Sequence, residues 1–304
     1  MATLSSPSPL HPVFKPFTTR PPAQSVKSST IPLHALIRDQ FTITTWLLLG
    51  ALLQAIATLT LPYRNILIVM PVFMTLSYKL TRQLLILCSI LPNPRMAGVV
   101  PKRVTPVYPS DGTSDLSATD AASSPICALL IAAKSNSSLG LFQPAYKPVA
   151  DRFDAMVSEL NASATENGYL GSSSWLNACD RATGSEIMTV IYFQNEEYLH
   201  DFAHGPTHSE ATLWWRELER AGKDTQVGIM HEVFACPKRS WEGIYVNYQP
   251  TGMGATTKEV KNADGTKSWV NPLVKVKGKL NYSKGRMGRA FGANEWDIME
   301  TMTQ

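Results

Sequence analysis

IYFQNEEYLHDFAHGPTHSEATLWWREL (residues 191–218) and VGIMHEVFACPKRSWEGIYVNY (residues 227–248) decide how this chain is read. They hold His200, His204, His208 and His231, four of the six histidines, together with Trp214, Trp215, Trp241, Tyr245 and Asn247. Imidazole exchanges a proton near neutral pH, and indole, phenol and carboxamide groups donate hydrogen bonds. Crowded into one stretch, these side chains point to a pocket more than to packing.

The local pattern sets the elements. Asn195 is a helix N-cap for EEYLHDFAH, Gly205-Pro206 breaks that helix, and THSEATLWWRELERAG forms a second piece. VGIMHEVFA follows as a strand, with GIYVNY as a further extended piece after a loop. Upstream, ICALLIAAK from Ile126 is a short apolar run, hence a buried strand. Val149, Phe153, Met156, Val157 and Leu160 recur at helical spacing, and Gly168 ends that helix. Trp175–Cys179 and Ile187–Phe193 read as two strands around the turn 180–184. Strand, helix, two strands, helix, strand is the order of a ferredoxin-like unit. The expected fold is therefore α+β, ferredoxin-like of the dimeric α/β barrel type, over residues 125–252. A homodimer is expected, sheet against sheet.

Residues 1–40, rich in Ser, Thr and Pro, read as a disordered N-terminal segment. Residues 41–92 read as a membrane anchor. Ile43–Leu61 is uncharged over 19 residues, close to the roughly 20 that a helix needs to cross a bilayer. A second apolar stretch, 66–91, contains Pro71, Lys79 and Arg82, so a span to about Tyr78 continues along the interface. Arg38 on one side and Lys79, Arg82, Arg95, Lys102 and Arg103 on the other outweigh Arg64 in the turn. That asymmetry predicts a multi-pass transmembrane helical hairpin with both termini cytosolic. The expected membrane is that of the endoplasmic reticulum, though nothing in the residues selects the organelle. Residues 93–124 lack periodicity and read as a tether, and 253–304 as a basic tail. Between 255 and 289 that tail holds nine Lys/Arg against Glu259 and Asp264; anionic lipid could attract it, but a solvated tail is the plainer reading.

Composition excludes several classes. A net charge of +4 gives no argument for nucleic acid. Cys88, Cys127, Cys179 and Cys236 are far apart, which fits reduced, buried thiols better than a zinc site or a disulfide scaffold. Walker A, dinucleotide-binding, zincin and nucleophile-elbow motifs are all missing, so no metal site is assigned.

Within the central stretch, His200, His204 and His208 share one face only if the helix is continuous, and Gly205-Pro206 prevents that. His200 reads as surface or satisfied core; for His204 and His208, beside the break, a functional and a structural reading are even. His231 alternates with Ile229 and Val233 and faces the helices, while Glu232 faces away, toward solvent, a dimer partner or a substrate. Tyr245 and Asn247 share a face and, with Trp241, can donate to a substrate oxygen. Trp214 and Trp215 are mostly packing, with Trp215 the candidate substrate contact.

LHDFAHGPTHSEATLWW and GIMHEVFACPKRSWEGIYVNYQPTG resemble fungal membrane-anchored monooxygenases of the antibiotic-biosynthesis-monooxygenase type, the group typified by the fumagillin-pathway polyketide oxygenase. The resemblance covers roughly Ser137 to Gly252. It departs at Ser137-Ser138-Leu139-Gly140, where relatives carry His-Pro-Leu-Gly. It implies oxygenation of a lipophilic polyketide or terpenoid by O₂, without cofactor. A histidine base (His204, His208 or His231) would remove a proton, and Trp241, Tyr245 and Asn247 would orient the substrate. Two other readings stay open: a haem enzyme on the same fold, with His208 or His231 as axial ligand, and a non-catalytic substrate-binding scaffold. Sequons at Asn136, Asn161 and Asn281 would be glycosylated if the domain were lumenal.

Overall fold

The computed structural model describes residues 10–21, 33–109, 113–116, 119–177 and 186–289. A short helix α1 (Leu33–Gln40) leads into α2 (Ile43–Thr60), whose N-cap Thr42 accepts a hydrogen bond from Thr45 N at 3.2 Å. No residue of α2 is buried; Leu47, Leu53 and Leu59 are more than two-thirds exposed. At 18 residues it is about 27 Å long, near the hydrocarbon thickness. After a tight turn, α3 (Arg64–Leu87) packs beside α2 and runs unbroken through Pro71. Among the described residues only α2 is long and apolar enough to cross a membrane. The expected hairpin of two spans thus reduces to one clear candidate, because Lys79 and Arg82 interrupt the apolar run of α3.

Strand β1 (Val100–Pro106) follows, then β2 (Ile126–Ser135), helix α4 (Tyr146–Ala162), β3 (Tyr169–Leu176) and β4 (Ile187–Phe193). The next pieces are α5 (Glu196–Ala203), α6 (Pro206–Arg220) and β5 (Val227–Cys236). β2 to β5 form one antiparallel sheet in the order β3-β4-β2-β5. Each helical crossover therefore skips one strand: the one through α4 passes β4, and the one through α5 and α6 passes β2. The third strand begins at Tyr169 rather than at Trp175, and the expected turn and Cys179 lie outside the described residues.

Alternation divides the sheet into two faces. Cys127, Leu129, Ile191 and Phe193 face the helices and form a core with Leu160 of α4 and Leu199 of α5. Burying Phe193 or Leu160 completely contributes about 1.5–3 kcal/mol each. Gly168, at φ 63°, admits the Tyr198 ring so closely that a Cβ would lie 2.3 Å from it. Gly168→Ala therefore meets both left-handed strain and a ring clash, and is expected to cost about 2 kcal/mol or more, read as a lower thermal midpoint.

The other face carries Ile126, Leu170 and Tyr192, packed against Tyr108, Trp241 and Met253. Apart from Trp241 and the expected extended piece GIYVNY, this layer comes from segments expected to be unstructured. β1 pairs with β6 (Tyr245–Tyr248) and β9 (Leu273–Lys275), while β7 (Lys258–Lys261) and β8 (Lys267–Val270) form a hairpin. Val107, Leu116, Val260, Val270, Val274 and Leu280 make their common core. The reading of 93–124 as a tether and of 253–304 as a solvated tail is thus corrected as far as Arg289. Arg286, only 8% exposed, pairs with Glu242 at 2.6 Å.

The N-terminal segment is corrected too. Residues 10–21 lie along the domain as a strap, with Phe17 N to Trp269 O at 2.8 Å and Lys275 N to His11 O at 2.8 Å. Arg20 sits between the rings of Tyr169 and Trp269, 5.0 and 4.9 Å from their centroids. Among the described cysteines Cys127 is buried, Cys236 half-buried and Cys88 exposed, so uniform burial was wrong. Burial pushes the Cys127 thiol up to about 11, which keeps it protonated and unreactive.

Candidate functional site

A cavity of about 440 Å³ opens between the helix face of the sheet and the helices α4 and α6. That volume lies within the usual range for small-molecule sites, roughly 300–1,000 Å³. Its floor is Ile131 and Ala133 of β2, Ile187 and Thr189 of β4, and Ile229 and His231 of β5. One wall comes from α4, where Tyr146, Val149, Phe153 and Met156 point inward with Arg152. The opposite wall is α6, with His208, Ala211, Thr212, Trp214 and Trp215.

Each imidazole reaches the cavity for a local reason. His231 pairs across the ladder with Ile131, so both share the helix face. It sits on an edge strand with Ile229 44% exposed beside it, which leaves that side reachable from solvent. His208 lies in the first turn of α6, which starts anew at Pro206 after Gly205. The break redirects the chain so that the His208 ring meets Phe202 edge-on, 5.9 Å between centroids.

Most other polar groups of the lining are engaged. Thr189 Oγ1 bonds Ser174 Oγ at 2.7 Å, Thr212 Oγ1 donates to His208 O at 3.0 Å, and Trp215 Nε1 donates to Glu219 Oε1 at 3.0 Å. Burial pushes the Tyr146 phenol up to about 12, so it keeps its proton throughout the physiological range. Among the described residues, no three His, Cys, Asp or Glu side chains gather closely enough to hold a metal ion.

The remaining expected site residues do not converge here. His204 is the exposed C-cap of α5, its Nδ1 2.7 Å from His200 O. Glu232 is exposed on the opposite face from His231. Trp241 is buried against Tyr108 on that opposite face and donates from Nε1 to Ser124 O at 2.8 Å. The Tyr245 hydroxyl accepts from Gly254 N at 2.9 Å, and Asn247 Oδ1 accepts from Lys102 N at 2.7 Å. The cause is topological: after Cys236 the chain leaves the main sheet and enters the second one. Trp241→Phe should therefore cost about 1 kcal/mol of stability through the lost bond and leave catalytic rates within about twofold of wild type. A thermal scan and a turnover assay on one preparation check this.

Sequence reasoning missed Tyr146, Thr189, Thr212 and, above all, Arg152. Phe153 and Met156 were seen, but as core. Arg152, adjacent in sequence to Phe153, had no signal beyond its place on an amphipathic helix.

Residues 126–253, which carry every side chain of this cavity, match the family model for monooxygenase af470-like proteins. The chain is an oxidoreductase of the monooxygenase class. A curated relative, monooxygenase af470 of Aspergillus fumigatus, is 29% identical over 276 residues, spanning 89% of this chain and 95% of that protein. Among solved structures, a conserved protein from Bacteroides thetaiotaomicron described as a possible oxidoreductase aligns over 37% of this chain and 98% of its own, with 12% identity and a TM-score of 0.26. The aldoxime dehydratase OxdRE, in complex with butyraldoxime, aligns over 52% of this chain and 42% of its own, with 11% identity and a TM-score of 0.33. Both scores are too low to carry an argument about this chain.

Proposed function

We propose that this chain is a membrane-tethered monooxygenase that oxygenates a lipophilic polyketide or terpenoid in secondary metabolism, using O₂ without metal, flavin or haem. The observation that carries this reading is the apolar cavity with His208 and His231 as its two imidazoles, inside a monooxygenase-type domain. One imidazole takes a proton from the substrate carbon. The electron-rich anion reduces O₂ directly, one oxygen atom enters the product and the other leaves as water, so all electrons come from substrate. The protein contributes position and shielding from bulk water.

The β3-β4-β2-β5 order supports a ferredoxin-like fold for this domain. The proposed partner is a second copy of the chain, covering Met230 and Phe234, which stand 42% and 48% exposed on the sheet face away from the helices. The proposed location is the endoplasmic reticulum membrane, with α2 and a shorter crossing by α3 holding the domain on the cytosolic side. A substrate that partitions into lipid would then be delivered at high local concentration.

Deleting the gene and growing both strains under oxygen-18 tests the function. The expected result is loss of a metabolite that carries one labelled oxygen in the parent strain. The purified chain should show neither a Soret band nor flavin absorption. An unchanged metabolite profile would overturn the oxygenase reading, and a Soret band would replace cofactor-free chemistry by haem bound through His208 or His231.

A further inference from the structure

Among the described residues, Arg152 is the one permanently charged side chain lining the cavity, and no Asp or Glu lines it. Its guanidinium lies over the Trp214 ring, Cζ 4.2 Å from the centroid. Stacking of this kind occupies the face of the planar group and leaves its in-plane N–H donors to other partners. Among the described residues only one such donor finds an acceptor: Nη1 gives a long bond of 3.3 Å to Pro148 O. Nε is shut off from solvent and has no hydrogen-bond partner among the described residues. The neighbouring acid, Asp151, is held by Lys147 on the outer side of α4, and Arg152 forms no ion pair with any described residue. A buried, unanswered donor on a charged group is costly, and native structures rarely keep one without a use.

The rest of the lining narrows what could answer it. Thr212 and Trp215 already donate inside the protein, and Thr189 shares a hydrogen bond with Ser174. The surfaces of Phe153, Met156, Ile131 and Ile229 ask for hydrocarbon. One fixed positive charge calls for one negative charge. A phosphate dianion would leave a surplus charge in an apolar cavity, whereas a carboxylate matches the guanidinium fork in charge and geometry.

We propose that the ligand of this cavity is an apolar monocarboxylate, its headgroup taken by Arg152 and its hydrocarbon body lying against Phe153, Met156 and Ile229. The inference rests on the oxygenase reading only for calling that ligand the substrate. The binding preference stands on Arg152 and the cavity alone.

The test is calorimetric titration of the full chain in nonionic detergent with 2-naphthoate and with 2-naphthamide, which match in shape and differ in charge. The expected result is binding of the carboxylate at least about tenfold tighter than the amide, a difference of about 1.4 kcal/mol. Arg152→Met and Arg152→Gln should bring the two ligands within about twofold, while the amide affinity stays near wild type. A merely structural Arg152 would weaken both ligands alike. Equal affinities in the wild-type chain, a preference that survives both substitutions, or no binding of either compound would overturn the proposal. The wild-type comparison stands even if a variant fails to fold. Carboxylate binding in a chain whose deletion leaves oxygen-18 metabolites unchanged would keep this inference and remove the oxygenase; labelled product with no carboxylate preference would do the reverse.

Discussion

His231→Ala is expected to lower the rate of product formation at least about a hundredfold while leaving the fold intact, because proton transfer by a positioned side chain contributes about 10²–10⁴ in rate. The loss should fall on kcat more than on KM, since the imidazole acts on the reacting carbon while the apolar walls hold the rest of the substrate. The fold should survive because His231 lies on an exposed edge strand: its ladder bonds to Ile131 are made by the backbone and its side chain supports no core cluster. His208→Ala gives the comparison. His208 packs on Phe202 and opens α6, so a loss there is accompanied by a small fall in thermal midpoint. The variant with the larger drop in kcat at unchanged KM identifies the base. Full activity in the His208, His231 double variant would remove proton transfer by histidine from the mechanism.

The contrast between these two histidines and the other expected site residues marks what the sequence could convey. Period-two alternation in VGIMHEVF places His231 on the helix face, and that placement depends on nothing outside the strand. The kink at Gly205-Pro206 is local chemistry as well, so both α5 and α6 and their capping by Asn195 were readable. Which face of the sheet WEGIYVNY would join was not local. It depends on pairing with β1, 145 residues upstream in the bond from Lys102 N to Asn247 Oδ1, and no periodicity records a partner at that distance. The segments that build the second layer were misread for a related reason. β7, β8 and β9 are only 4, 4 and 3 residues long, and Lys261, Lys267 and Lys275 stand exposed at their ends, so they look like a basic tail until the strap at 10–21 and β1 are placed beside them, with Lys258 buried and donating to Pro109 O. Arg152 was invisible for a third reason: whether a helical arginine is solvated or left without a partner is decided by the sheet and helix it meets.

Ala211→Phe is expected to reduce turnover to background and to leave the thermal midpoint nearly unchanged, a pairing that separates a ligand cavity from a packing defect. Ala211 lies on α6 between His208 and Trp214 and faces about 440 Å³ of open volume. In a filled core an added ring forces neighbours off their rotamers at a cost of about 1–3 kcal/mol. Here the ring has space to occupy, meets the apolar surface of Phe153 and Met156, and gains burial, so those contributions offset the lost helix propensity of alanine. The control is the same change at Ala164, 5% exposed within the cluster of Leu160, Tyr169 and Phe193, where no space exists and a fall in midpoint is expected. Ligand should be excluded from the Ala211 variant alike for carboxylate and amide probes, which distinguishes steric filling from the charge effect of Arg152→Met. A variant at Ala211 that keeps full turnover would move the reaction out of this cavity, and with it both imidazoles.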